Sequence, residues 1–328
     1  MSHRALSFYV SGLLTTLALL PGKASPADRV LPRPDGSSIN WAIDRQSPAA
    51  GAKQGILLIA QGSGCLAASE NPNIASAKRL LPEFAVVTVE KYGVEAHAKP
   101  GDPFNECSST FYAHHTVSQR VEDYQRVLAQ LESEEWWNGQ LVLFGGSEGG
   151  GAVALLAPSV NANAIIIFSS APGHSFEKLF KMTVPPEIAE QAGIEFEKIK
   201  TDRTSSKIWG GNSYRWWADI LHQDMTAALL STHSPILLVQ GERDSHAPVA
   251  VAREIRDEFK NNNHRNLTYW EFAGYDHSMQ DAQGVSHLAE VMTRISTWIR
   301  QELVNSRESA HRLESLKASP EFRGERRR

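Results

Sequence analysis

Three residues of this 328-residue chain have the types and the order that nucleophilic catalysis needs. Ser147 lies in Gly145-Gly146-Ser147-Glu148-Gly149, a G-x-S-x-G turn. An apolar, strand-like stretch (141–144) runs into it, and a small-residue, helix-compatible one (152–156) leaves it. In such a strand–turn–helix the serine sits on a strained backbone, and glycines flank it because neighbouring chain packs too close for a Cβ. The helix that follows aims N–H groups and its positive dipole end at the serine oxygen. A serine hydroxyl is a weak nucleophile until a base takes its proton, and the base needs a carboxylate to orient it. His277, in Gly274-Tyr275-Asp276-His277, is the candidate base. Asp244, in Gly241-Glu242-Arg243-Asp244, is the candidate acid, with Glu242 as its rival. Asp276 is adjacent to His277 in the chain, a poor geometry for taking its Nδ1 proton. G-x-G-x-x-G is not met around Ser147, which argues against a dinucleotide fingerprint. No H-E-x-x-H or comparable spacing supports a metal site. His97, His114, His115, His222, His246 and His264 read as surface or loop residues.

Each of the three candidates closes a predicted strand. The runs 55–60 (GILLIA), 84–89 (FAVVTV), 141–144, 164–168 (AIIIF) and 235–239 (PILLV) are continuously apolar, as in strands buried on both faces of a parallel sheet. The last strand is expected at 267–272, and 39–43 alternates like an early edge strand. A short helix is expected around 73–81. A second opens on a capping box, Thr116 with Gln119, and places Val117, Val121, Tyr124, Leu128 and Leu131 on one face. A third, 249–260, turns Val251, Ala252, Ile255 and Phe259 inward. The closing helix carries a stripe of Val285, Leu288, Val291, Met292, Ile295, Trp298 and Ile299. Strands alternating with helices predict an α/β fold, a mostly parallel doubly wound sheet whose sites form at the carboxyl ends of its strands. Residues 173–233 interrupt that rhythm with Pro185-Pro186 and the aromatic group Trp209, Tyr214, Trp216 and Trp217. They read as a lid insertion whose aromatics either line an acyl pocket or anchor the cap to the body. The segment 90–115 is long and irregular. From about 301 the chain reads as a solvated, frayed polar tail ending in Arg326-Arg327-Arg328.

The segments GGSEGG, GERDSHAP and GYDHS, in that order, resemble the α/β-hydrolase superfamily over roughly 55–300. The resemblance implies Ser147 as nucleophile, Asp244 as acid and His277 as base, with no cofactor and a small-molecule acyl substrate. The developing oxyanion needs two fixed donors. Glu148 N–H is the first, and Ser63 N–H matches the second, although Gln61-Gly62 here replaces the His-Gly common in relatives. The doubled glycine after Glu148 also occurs in the peptidase and dienelactone-hydrolase-like branches, the latter typically with cysteine as nucleophile. The expected activity is that of a serine hydrolase acting on an ester or related acyl bond. A peptidase or amidase on the same triad, and a catalytically silent binding module on this fold, remain open.

Composition is that of an ordinary soluble globular protein, 41% hydrophobic and 21% charged. A net charge of −4 without a basic stripe gives no reason to expect nucleic acid as partner. Residues 1–27 read as a signal peptide: Arg4, an apolar stretch 5–20, a break at Pro21-Gly22, then small residues with cleavage after Ala24 or Ala27. The alternative is an uncleaved anchor helix, for which the apolar run is somewhat short. The expectation is export to periplasm or medium, with no stable membrane anchor once the leader is cut. Cys65 and Cys107 are the only cysteines, too few for a disulfide-dense scaffold or cysteine-rich zinc site. In an exported chain they suggest one bridge, pinning 90–115 beside the oxyanion loop; the competing reading is two buried thiols.

Overall fold

The computed structural model describes residues 27–45 and 51–318. The leader read at 1–27, but for its last residue, and the terminal arginines lie outside them. The strands are β1 (Ala27–Pro32), β2 (Ser38–Asp44), β3 (Gln54–Ala60), β4 (Ala85–Val89), β5 (Trp137–Gly146), β6 (Ala164–Phe168), β7 (Ile208–Trp209), β8 (Asn212–Ser213), β9 (Ile236–Gly241) and β10 (Leu267–Phe272). The helices are α1 (Pro72–Ala77), α2 (Ser109–His114), α3 (Val117–Leu131), α4 (Glu148–Leu156), α5 (Phe176–Thr183), α6 (Pro186–Thr201), α7 (Tyr214–Ile220), α8 (Met225–Leu230), α9 (Val249–Asn261) and α10 (Leu288–Ala318).

Eight strands form one sheet in the order β1-β2-β4-β3-β5-β6-β9-β10, while β7 and β8 pair apart from it. From β4 to β10 every pairing is parallel; β1 and β2 join antiparallel at one edge. The apolar runs are continuous because both faces are covered: every residue of β3, β4, β6 and β9 is buried. Side chains alternate by the strand period of two. Ile56, Leu58 and Ala60 join the core under α3, α4 and α9, and Leu57 and Ile59 join the one under α1 and α10. After β3 the chain steps outward to β4, then returns across β3 to β5. That reversal opens a crevice at the carboxyl ends of β3 and β5, where open α/β sheets bind ligands.

Several local expectations need correction. The helix expected at 73–81 ends at Ala77. Thr116 Oγ1 does accept from Gln119 N (3.0 Å), but the Gln119 amide donates to Asp123 Oδ1 (3.1 Å) instead of reaching back. It is drawn there by a buried ion pair, Arg33 with Asp123 (2.8 Å). The irregular segment 90–115 contains α2, capped by the Ser108 hydroxyl on Phe111 N (3.0 Å). Val285 lies before the closing helix and is exposed; the buried stripe runs through Val291, Ile295, Ile299 and Leu303. That helix also continues past 301 to Ala318, where a frayed tail was expected. Leu303 is buried against the sheet, and Arg307 Nη2 donates to Gln140 Oε1 (3.0 Å).

Between β6 and β9 the chain builds α5 to α8 and the β7–β8 hairpin. The Trp217 ring lies 5.0 to 5.9 Å from the rings of Phe176, Phe180, Phe196, Trp209 and Trp216. Tyr214 adds a polar tie, its hydroxyl bonded to Glu195 and Lys207. Among the described residues no helix is long and apolar enough to cross a membrane.

Candidate active site

β5 ends at Gly146 and α4 begins at Glu148, so Ser147 alone makes the turn, at φ 53° and ψ −126°. A non-glycine residue there is strained and persists only where its surroundings fix it. Two glycines make the turn sterically feasible. A Cβ on Gly145 would strike the Gly149 carbonyl, and a Cβ on Gly149 the carbonyl of Ala60 on β3. Gly146, by contrast, has open space beside it, with Phe168 O 3.9 Å away. Ser147 N donates to Phe168 O (3.0 Å) and Ser147 O accepts from Gly150 N (2.9 Å), so both peptide groups of the turn are held. The serine therefore stands at the α4 N-terminus, above the crevice between β3 and β5.

Asp244 follows β9, its side chain wholly buried. Four donors converge on its carboxylate. Oδ1 accepts from His246 N (2.9 Å) and Ala247 N (2.8 Å), and Oδ2 from Gln240 Nε2 and His277 Nδ1 (2.8 Å each). An acceptor-only carboxylate on Nδ1 requires the proton there, which leaves Nε2 of a neutral His277 free to take one. His277 itself keeps a quarter of its side chain exposed. Glu242 is turned away, its Oε2 accepting from Gly274 N (2.8 Å), and Asp276 Oδ1 closes its own turn on Ser278 N and Gln280 N (2.9 Å each). Asp244, His246 and His277 do offer ligand atoms within 4.8 Å of one another. A metal ion there would have to displace donors from a carboxylate whose four acceptor directions are already occupied.

The loop after β3 passes directly over the serine. A Cβ on Gly62 would lie 3.3 Å from Ser147 Cβ. Beneath the loop lies a buried ionic cluster that the sequence did not announce. Lys91 Nζ donates to Gly62 O and Gly64 O (2.6 Å each) and stands 3.5 Å from Glu148 Oε1. Arg120 donates to Glu148 Oε1, to Gln61 O (2.7 Å each) and to the Tyr124 hydroxyl (2.9 Å). Burial would raise the Glu148 pKa, but Lys91 and Arg120 outweigh it and hold the carboxylate ionised. Burial also pulls the Lys91 ammonium down to about 8, against the opposing pull of Glu148. His115, expected at the surface or in a loop, is buried and stacked on Phe111. Burial lowers its pKa to about 4, so it is neutral, and at 3.7 Å from Glu148 it is beyond hydrogen-bond reach. The missed signal was slight: three charged residues, each ordinary alone, at 91, 120 and 148.

Cys65 and Cys107 form a disulfide. With Cys65 N on Pro103 O (2.8 Å) it holds the 99–107 strap against the loop after β3 and brings Phe104 to the site. Ser147, Ser63, Glu148 and His277 all border one cavity of about 1120 Å³, with Asp244 behind His277. The cap side of that cavity is aromatic and aliphatic: Phe176, Phe180, Trp216, Trp217, Ile220 and Met225. Trp216 and Trp217 thus both pack within the segment between β6 and β9 and wall the cavity. Among the described residues no lysine or arginine lines it.

No protein-family model matches the sequence, and no curated protein does. Solved structures do resemble the chain. Est1E from Butyrivibrio proteoclasticus is similar at 14% identity and a TM-score of 0.56, over 84% of this chain and 99% of that one. A Pyrococcus furiosus esterase is similar at 12% identity and a TM-score of 0.54, over 84% of this chain and 91% of that one. A puromycin-hydrolysing peptidase of Mycobacterium tuberculosis is similar at 15% identity and a TM-score of 0.57, over 87% of this chain but 41% of the larger peptidase. The strand order, the helices on both faces and these likenesses agree: the fold of this chain is that of the α/β-hydrolase superfamily.

Proposed function

We propose that the chain is a serine hydrolase that cleaves a carboxylic ester or related acyl bond through an acyl-enzyme. The observation that carries this reading is the Asp244–His277 bond (2.8 Å) beside a serine on a glycine-permitted, positive-φ turn in the same cavity. In this mechanism His277 Nε2 takes the Ser147 hydroxyl proton as Oγ attacks the acyl carbon. Asp244 holds the ring and stabilises the imidazolium. The N–H groups of Glu148 and Ser63 receive the oxyanion, and the same imidazolium protonates the leaving group. Water, activated by His277, then releases the acid. None of these steps draws on a cofactor.

The cavity wall supports a neutral substrate with a bulky apolar or aromatic part, because among the described residues no lysine or arginine is there to meet a carboxylate. Glu148 is consumed by its own cluster and Asp276 Oδ1 by its own turn. On this reading the segment between β6 and β9 is the lid. We further propose that the protein is exported after removal of its leader; the Cys65–Cys107 bridge supports an oxidising destination.

The test is a panel of neutral aryl and alkyl esters, anionic hemiesters and aminoacyl anilides, assayed with the mature protein and with Ser147→Ala. The reading expects neutral bulky esters to be turned over fastest and Ser147→Ala to abolish all turnover. Preference for aminoacyl anilides would make the protein a peptidase on the same triad. No turnover and no acyl-enzyme on any member would favour a binding module.

A further inference from the structure

The ionic cluster under the oxyanion loop has a specific geometric consequence. In a trans peptide the C=O and the following N–H point in opposite directions. Lys91 Nζ holds the Gly62 and Gly64 carbonyls from below, at 2.6 Å each, and its side chain is fully buried. The N–H paired with Gly64 O is that of Cys65, and it is spent on Pro103 O (2.8 Å). The N–H paired with Gly62 O is that of Ser63. No acceptor among the described residues takes it, and Ser63 borders the cavity with Ser147. Arg120 repeats the arrangement one residue earlier by holding Gln61 O (2.7 Å). Both cations are fastened to the carboxylate of Glu148, whose own N–H opens α4. One buried anion therefore connects the two chain segments that must supply the two oxyanion donors.

We propose that Lys91 is a positioning residue for acyl transfer: clamped by Glu148, it turns the Gly62 carbonyl inward and so presents Ser63 N–H to the oxyanion formed at Ser147. This inference rests on the reading of Ser147 as nucleophile. Lys91 touches neither substrate nor Ser147; it acts through the loop. The charged and titratable groups around it are Glu148 on α4, Arg120 on α3, His115 at the end of α2, and its neighbour Glu90. The carboxylate of Glu90 is taken by Ala68 N (2.9 and 3.1 Å) and is itself partly protonated near neutrality, its pKa raised to about 7 by burial. Glu148 is thus the group that keeps the ammonium charged. When Lys91 discharges, its hold on the two carbonyls weakens from charge-assisted to ordinary hydrogen bonding. The rate should then fall without loss of fold. Burial penalises the charged form, so discharge between about pH 8 and the ordinary 10.5 favours the folded state.

The experiment compares wild type, Lys91→Met and Glu148→Gln between pH 6 and 10. It measures kcat and KM on a neutral aryl ester, the rate of fluorophosphonate labelling, and thermal unfolding at each pH. Lys91→Met should lower kcat and the labelling rate together by about 10²-fold, the cost of losing one oxyanion donor, with KM changed less than twofold. The wild-type rate should fall above about pH 8 while the thermal midpoint does not fall. Glu148→Gln should move that alkaline limb to lower pH, an effect a merely structural role would not produce. Lys91→Met with kcat within threefold of wild type would overturn the proposal. Should that variant fail to fold, an alkaline limb unmoved in Glu148→Gln overturns it equally. Ser147→Ala separates the two readings: turnover surviving that change removes the nucleophile assignment, whereas a dead Ser147→Ala beside a fully active Lys91→Met removes only the role of Lys91.

Discussion

Replacing Asp244 by Asn changes one oxygen for an NH2 group, and the four donors around the carboxylate make the outcome calculable. If the amide oxygen faces His246 N and Ala247 N, as Oδ1 does now (2.9 and 2.8 Å), the NH2 faces Gln240 Nε2 and His277 Nδ1. Two donors then meet a third. His277 can relieve the conflict by moving its proton to Nε2 and accepting on Nδ1. That tautomer cannot take the proton of Ser147. Gln240 can relieve its share by flipping its amide, since its Oε1 has no partner, but the flip surrenders the Nε2 bond to Ala247 O (2.6 Å). The stability cost is therefore that of a buried carbonyl left without its donor, about 1–3 kcal/mol. The rate cost is the whole general-base contribution, about 10⁴-fold in kcat, as when a triad aspartate elsewhere is amidated, or ~5.4 kcal/mol of transition-state stabilisation. Steady-state kinetics on a neutral ester with a thermal melt of the same sample read both. Glu242→Gln is the control, because its carboxylate serves Gly274 N (2.8 Å) and should leave kcat within about twofold. Asp244→Asn with kcat within tenfold of wild type, or a larger loss in Glu242→Gln, would refute the assignment.

The Cys65–Cys107 bridge closes a loop with a sequence separation of 42. Cys65→Ala should cost about 4 kcal/mol on the chain-entropy relation and lower the melting temperature by about 6 °C for a domain of this size; a shift under 1 °C in a differential scan would show that the bridge constrains nothing. Glu90 keeps its proton in the folded state up to about 7 against an ordinary 4.5. The unfolded chain binds fewer protons than the folded one in that window, so stability falls as pH rises through it. The midpoint of Glu90→Gln should accordingly gain on wild type between pH 4.5 and 7, and a pH-independent difference would deny the burial effect. Gly149→Ala should fail to fold or lose activity outright, since its Cβ enters the Ala60 carbonyl, whereas Gly146→Ala, with open space beside it, should retain the fold by circular dichroism.

Much of the frame was legible because it rests on local pattern. Strands covered on both faces must be apolar throughout, so the runs that became β3, β4, β6 and β9 stood out, and a G-x-S-x-G turn between strand and helix has few structural solutions. What escaped depends on partners far apart in sequence. Nothing local links Lys91, Arg120 and Glu148, because only the closed sheet buries them and brings both cations within 3.5 Å of the Glu148 carboxylate. Gln119 failed to complete its capping box because Asp123, held by Arg33 from ninety residues away, competed for its amide. The length of α10 was hidden by the polar composition of its last turns, which leaves the helix to be stabilised by single contacts such as Leu303 and Arg307. His115 looked like a loop histidine and is instead a buried neutral ring stacked on Phe111.

The central claim is that Ser147 forms the covalent intermediate. Peptide mapping of the protein after reaction with a fluorophosphonate measures this directly. The account expects one adduct, on the peptide carrying Gly145-Gly146-Ser147, and none in Ser147→Ala. An adduct on another residue, or labelling of Ser147→Ala at the wild-type rate, would contradict it.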